Sequence, residues 1–115
     1  MGTTIEDQQL DALFTALSDR TRRDIVARLG TREATVKELA APYAMTMQAV
    51  SQHIRVLERS GLISQGRHRQ TRPCRLEPAA LEAALSWIEQ SRRTWSDRMD
   101  RLDAHLARLQ EREDQ

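Results

Sequence analysis

The sequence is poor in residues that cross-link a chain, interrupt helices or wall a deep pocket. Its single cysteine, Cys74, excludes an intrachain disulfide and any metal site built from several cysteines. Only four glycines and three prolines occur in 115 residues, which leaves long stretches free of helix breakers. Aromatic residues make up 3% of the chain, too few to line a large ligand pocket with rings. We therefore expect one mainly α-helical domain.

Long apolar runs are missing as well. No segment approaches the roughly 20 apolar residues that a transmembrane helix needs. The first residues, MGTTIEDQQ, lack the basic and apolar regions of a signal peptide. Glu6 stands where the myristoylation pattern requires Ser or Thr. We expect a cytoplasmic protein that has no membrane partner.

Charge is balanced overall but unevenly distributed. The formal net charge is +1, yet residues 46–76 hold six arginines and a single acid, Glu58. The preceding segment carries −1 and the following one −3. Such a local excess of positive charge is the expected footprint of phosphate binding. A solvated arginine-rich face would look the same by charge alone, so the helical context must decide between the two.

Periodicity predicts three helices before this basic segment. The first covers residues 5–17, and the second, of about ten residues, is capped by Ser18 or Asp19. Thr35 and Glu38 form the S/T-x-x-E capping box that opens the third. A short turn then leads to a fourth helix, so that residues 35–60 form a helix-turn-helix.

The fourth helix has two chemically distinct faces. Thr46 caps its start, Val50, Ile54 and Leu57 form an apolar stripe, and Gly61 follows its last turn. The other side carries hydrogen-bonding side chains of the length that reaches base edges, namely Gln48, Ser51, Gln52 and Arg55. Residues 62–76 then form a short hairpin, with strands expected over 62–66 and 71–76, that carries Arg67, His68, Arg69, Arg72 and Arg75. A polar helix face followed by a basic hairpin is typical of a winged helix-turn-helix.

A last helix is expected over residues 78–112, with an apolar heptad seam on one side. The seam runs 4,3,4,3 through Leu81, Leu85, Ile88, Arg92, Trp95, Met99, Leu102, Leu106 and Leu109, with Arg92 as its one polar member. A helix of this length, about 50 Å, is too long to bury its seam on so small a domain. We expect a partner chain, with a helix folded back over its own domain as the alternative.

These segments together resemble the ArsR-type family of winged-helix repressors. The resemblance rests on LFTALSDRTRRDIVARL (13–29), TVKELAAPYAMTMQAVSQHIRVLERSGLI (35–63) and GRHRQTRPCRL (66–76). The PCRLEP ending of the wing and the paired tryptophans of the last helix are similar to the autorepressor-like group that does not bind metals. The resemblance implies a homodimer with the first and last helices at its interface. The interface residues it suggests are Leu10, Leu13, Leu85, Trp87, Ile88, Trp95, Met99, Leu102 and Leu106.

The candidate DNA-binding residues differ in the part of the DNA that each is expected to contact. The set is Thr46, Gln48, Ser51, Gln52, His53, Arg55, Arg67, Arg69 and Arg72. Gln and Ser suit base contacts, whereas Arg55 and the wing arginines suit phosphate or a minor groove. His53 either reads a base or bridges its helix to neighbouring backbone. Arg75 either joins the wing arginines or pairs with an acid.

Catalytic and metal sites find little support. Asp103 and His105 offer half of a tail metal site, and the tail has no second histidine, so we expect no metal and no cofactor. Cys74 is expected to be a small buried residue of the wing rather than a redox switch. No nucleophile–base pair or carboxylate pair stands at a meaningful spacing, which argues against an enzyme.

We expect a homodimeric repressor that binds double-stranded DNA at an inverted repeat. The alternative is a winged-helix protein-interaction module. The sequence leaves open whether a small-molecule inducer acts on the protein.

Overall fold

The computed structural model describes residues 5–66 and 72–114, in two compact units divided after Ala84. Within these residues the chain forms five helices and a two-stranded antiparallel sheet. The elements are α1 (Ile5–Leu17), α2 (Arg20–Leu29), α3 (Val36–Ala40), α4 (Met47–Arg59), β1 (Ile63–Gln65), β2 (Cys74–Leu76) and α5 (Pro78–Glu113). This arrangement confirms the predicted winged helix-turn-helix with a long last helix.

Side-chain caps fix where the helices begin. Asp19 is the N-cap of α2 and accepts a hydrogen bond from the Arg22 amide, which decides between the two predicted caps. Thr35 and Glu38 form the predicted capping box of α3. The Thr46 hydroxyl accepts from the Ala49 amide at the start of α4. Each cap satisfies backbone N–H groups that have no partner within the helix.

The first unit has one apolar core, to which every element up to the start of α5 contributes. Its fully buried larger side chains are Leu13, Ile25, Leu39, Val50, Ile54, Leu57, Leu62 and Cys74. The apolar stripe predicted on α4 therefore faces inward over its whole length. Leu13 is 0% exposed within a single chain. It is a core residue with no surface to offer a partner, so its assignment to a dimer interface is corrected.

The end of α4 depends on a glycine with a left-handed backbone. Gly61 has φ +84° and directly follows the C-cap Ser60. L-residues with a Cβ adopt this region at a steric cost, which glycine avoids. The turn sends the chain straight into β1, where the Leu62 amide donates to the carbonyl of Leu57.

The strands of the wing are shorter than the sequence pattern suggests. β1 and β2 pair antiparallel in the register Ile63↔Leu76, Ser64↔Arg75 and Gln65↔Cys74. Ala34, just before α3, bonds to Cys74 from the other side of β2. The wing base is thereby attached to the helix-turn-helix by backbone hydrogen bonds. Residues 67–71, which include only the first residue of the predicted second strand, lie outside the described residues.

The last helix contains 36 residues, one more than predicted. Its first turns contribute Ala80 and Ala84 to the core of the first unit. From Leu85 onward it forms the second unit, a single helix whose large apolar side chains are exposed. Over the described residues, no helix combines the length and the apolar character needed to cross a lipid bilayer.

Candidate nucleic-acid interface

Helix α4 has a polar face on the side opposite the apolar stripe that packs against the rest of the domain. Its inward residues are buried, and the helix packs against α1, α2, α3 and β1. On the opposite side Gln48, Gln52 and Arg55 are exposed, and Ser51 is half-buried. Among the described residues, none of these four side chains forms a hydrogen bond. Their donors and acceptors are therefore available to an external ligand.

His53 points back toward the start of α2. Its Nδ1 lies 3.2 Å from an Arg22 guanidinium nitrogen and 3.8 Å from Asp19 Oδ2. The side chain is 21% exposed, so it lies mostly among protein atoms. Of the two roles open from the sequence, the structure favours the bridge between helices, and we leave His53 out of the proposed base contacts.

Arg22 joins three elements at this point, a role that the sequence pattern did not indicate. Its guanidinium donates to the carbonyls of Ala16, at 2.7 Å, and Thr15, at 3.2 Å, in the last turn of α1. The same group contacts His53 on α4. The pKa of Asp19 lies below its ordinary value, chiefly because the Arg22 amide donates to its carboxylate, with the charges of His53 and Arg22 adding to the effect. This cluster fixes the position of α4 relative to α1.

A second cluster supports the turn between α3 and α4. Arg28 donates to the carbonyls of Leu39, at 2.8 Å, and Glu38, at 3.1 Å, at the end of α3. Its guanidinium also lies 5.6 Å from the centre of the Tyr43 ring, and the Tyr43 hydroxyl donates to Asp24. Burial, followed by this hydrogen bond, raises the pKa of Tyr43. The turn is therefore tied to α2, a connection that the sequence pattern did not indicate.

The two described wing arginines are both exposed, and one of them is paired with an acid. Arg75 contacts the carboxylate of Glu77 at 3.3 Å and Ser64 Oγ at 3.1 Å, so it takes the acid partner foreseen as its alternative. The Ser64 hydroxyl donates to the same carboxylate, and these contacts lower the pKa of Glu77. Arg72 is exposed. The candidates Arg67 and Arg69 lie outside the described residues.

Cys74 is a core residue at the base of the wing. It is 0% exposed, and burial raises the pKa of its thiol. Both conditions disfavour the reactive thiolate. This location agrees with the structural role expected from the sequence.

The second unit carries an exposed apolar seam that Arg92 interrupts once. Its large members have exposed fractions between 36% and 63%, and they are Leu85, Ile88, Trp95, Met99, Leu102, Leu106 and Leu109. Trp87, beside the seam, is 50% exposed, and Leu10 on α1 is half-buried. Asp103 and His105 lie on exposed turns of the same helix. Throughout residues 5–66 and 72–114, no three His, Cys, Asp or Glu side chains converge as a metal site would require.

Comparison with known proteins agrees with this geometry. A helix-turn-helix domain family matches residues 17–65. The chain is 38% identical over 73 residues to the HTH-type transcriptional regulator Rv2034 of Mycobacterium tuberculosis, an alignment covering 64% of this chain and 68% of that protein. It is 27% identical over 79 residues to the transcriptional repressor SdpR of Bacillus subtilis, covering 69% and 88% respectively.

Solved structures extend the likeness to nearly the whole chain. The ArsR family transcriptional regulator RHA00566 superposes with a TM-score of 0.74 at 34% identity, over 84% of this chain and 97% of that one. The helix-turn-helix family match over residues 17–65 includes α4 with its polar face. The chain described here is therefore a DNA-binding transcriptional regulator that belongs to the ArsR family.

Proposed function

We propose that this regulator is a homodimer that represses transcription by occupying an inverted-repeat operator. The observation that carries the proposal is the exposed seam of the second unit. Apolar residues spaced 4,3,4,3 along a helix form the contact surface of a coiled coil. A second copy of the same helix supplies the matching surface, because a two-fold interface is self-complementary.

Burial of the seam provides the driving force for association. Each large seam residue from Trp95 to Leu109 leaves at least 36% of its surface in water in the single chain. Apolar surface removed from water contributes about 25 cal/mol per Å². On α1, Leu10 is half-buried and keeps some exposed surface, whereas Leu13 is fully buried.

A dimer presents two α4 helices to DNA. Helix-turn-helix dimers read half-sites about one turn, ~34 Å, apart. We assign base contacts to Gln48, Ser51 and Gln52, since amide side chains pair with adenine and hydroxyls bond either bases or phosphate. Arg55, farther along the helix, and exposed Arg72 on the wing are assigned to phosphates. Thr46 keeps its hydroxyl proton for a phosphate while its oxygen caps the helix.

The repression mechanism needs only occupancy. A dimer bound across a promoter excludes the transcription machinery, and the repressor SdpR among the relatives supports this assignment over activation. We further propose that the controlling signal is not a metal. Asp103 and His105 supply two ligands where a zinc site uses about four.

Molecular mass in solution tests the dimer. The full chain at micromolar concentration is expected to have twice its 13.2 kDa mass. Leu102→Glu places a charge in the seam and is expected to shift the protein toward monomer. Ala104→Glu adds the same charge on the opposite side of the same helix and is expected to leave the dimer intact. A monomeric wild type, or equal effects of the two variants, would contradict the proposal.

A further inference from the structure

Two exposed methionines flank the N-cap of α4. Met45 is 39% exposed and Met47 is 49% exposed, on either side of Thr46. Among the described residues up to Ala84, Phe14 is the only other large apolar side chain in this class, at 37%. Of the large apolar side chains described up to Ala84, the most exposed is therefore that of Met47, the first residue of α4.

The position of Met47 directs it toward base edges. Side chains of a helix tilt toward its N-terminus, so Met47 projects beyond the start of α4. When a helix-turn-helix docks, the N-terminal residues of its second helix contact bases in the major groove. Exposed Gln48 follows Met47 directly, and Ser51 lies one turn further along the same flank. Met47 therefore belongs to the surface that meets DNA.

The chemistry of Met47 differs from that of its neighbours. Gln48, Gln52 and Arg55 offer hydrogen bonds, whereas Met47 offers an unbranched, polarizable apolar side chain. In the major groove, thymine alone among the four bases presents a methyl group. An apolar residue at this place distinguishes thymine from cytosine and purines by burying that methyl group.

We propose that Met47 is a specificity-determining residue that reads one thymine in each half-site through its C5-methyl group. The inference rests on the proposed function, in which α4 lies in the major groove of an operator. Met45 precedes the cap and lies outside the helix. It is the matched control, since it is an exposed methionine two residues away whose side chain is not oriented by the helix.

Replacement of thymine by deoxyuridine removes the methyl group and keeps base pairing. Binding of the wild-type protein is measured on its operator, selected from random DNA, with each thymine replaced in turn at equivalent places in both half-sites. One replacement is expected to weaken binding by about fourfold per half-site, the factor that burial of one methyl group supplies. Met47→Ala is expected to bind the thymine and deoxyuridine operators equally, and Met45→Ala to keep the full difference.

Met47→Leu provides a second variant that retains an apolar side chain. It is expected to keep most of the thymine preference, and Ala, Leu and Met all favour helices, so α4 is preserved in each variant. The proposal is overturned if no thymine is sensitive, if Met47→Ala retains the difference, or if Met45→Ala abolishes it. Failure to select any operator would overturn the proposed function as well, whereas an operator without methyl sensitivity overturns only the role of Met47.

Discussion

At the scale of single residues, the polar face of α4 and the wing use two different chemistries. Gln52 has an amide, which donates and accepts in a fixed geometry and so distinguishes one base from another. Arg72 has a guanidinium, which attracts any phosphate regardless of sequence. Both side chains are exposed. Their contributions to binding should therefore separate when sequence and salt are varied independently.

Removing each group should change a different property of binding. Gln52→Ala is expected to cost about 1–3 kcal/mol on the operator and to relax preference at one position of each half-site. Arg72→Ala is expected to weaken binding to all sequences equally and to lower the salt slope by about one unit for each phosphate that the arginine neutralises. Titrations of both variants on operator and scrambled DNA at several salt concentrations measure the sequence preference and the salt slope of each variant. A change of sequence preference in Arg72→Ala alone would reverse the two roles.

Single-residue roles that depend on tertiary neighbours could not be predicted. His53 stood on the polar side of α4 in the sequence, and its position against Arg22 emerges only when α2 packs on α4. The same holds for Arg28 and Tyr43, which are 15 residues apart and meet only in the folded chain. The resemblance placed Leu13 at the dimer interface with the rest of the first helix, but it does not tell which apolar side chains of that helix the chain's own core buries.

At the scale of elements, the sequence predicted the bounds of the helices more closely than those of the strands. The bounds of α1 and α4, and those of α5 to within one residue, followed from capping residues and apolar spacing, because caps and helical periodicity act within a few residues. The predicted wing strands were longer than the observed ones, because each strand of a two-stranded sheet ends where its partner strand stops pairing with it. β2 also bonds to Ala34, 40 residues earlier, and no pattern within the wing indicates that contact.

The polar interruption of the α5 seam gives an element-scale prediction. Arg92 occupies a seam position and pairs with Glu89 on its own helix at 2.9 Å, an exposed pair that contributes little. A polar residue at such a position costs coiled-coil stability. Arg92→Leu is expected to tighten the dimer severalfold, measured as its dissociation constant by sedimentation. Arg93→Leu adds the same side chain outside the seam, and a comparable tightening there would contradict the seam assignment.

At the scale of the whole molecule, several carboxyl groups favour the folded state at neutral pH. Hydrogen bonds to backbone or side-chain donors lower the pKa of Asp19, Glu38, Glu77 and Glu89. A carboxyl whose folded pKa is lowered stabilises the fold above its unfolded pKa, and that contribution disappears as the pH falls through the folded pKa. Stability should therefore fall as the pH drops below about 4.

Asp19 allows this pH dependence to be isolated. Asn is also a favoured N-cap, so Asp19→Asn keeps the cap of α2 and removes the titrating charge. The variant is expected to have a lower Tm than wild type at neutral pH, with the difference shrinking as the pH falls below about 4. Asp11→Asn, an exposed change on α1, serves as control. A difference that stays constant from neutral to acid pH would show that the charge of Asp19 does not matter.

Reading of one inverted repeat by two copies of this chain is the central proposal. Selection from a random pool of duplex DNA, followed by sequencing and determination of the protein-to-DNA ratio, tests it most directly. We expect an enriched imperfect inverted repeat with half-site centres about 34 Å apart, bound by two chains. Enrichment of a single half-site bound by one chain, or no enrichment at low salt, would contradict it.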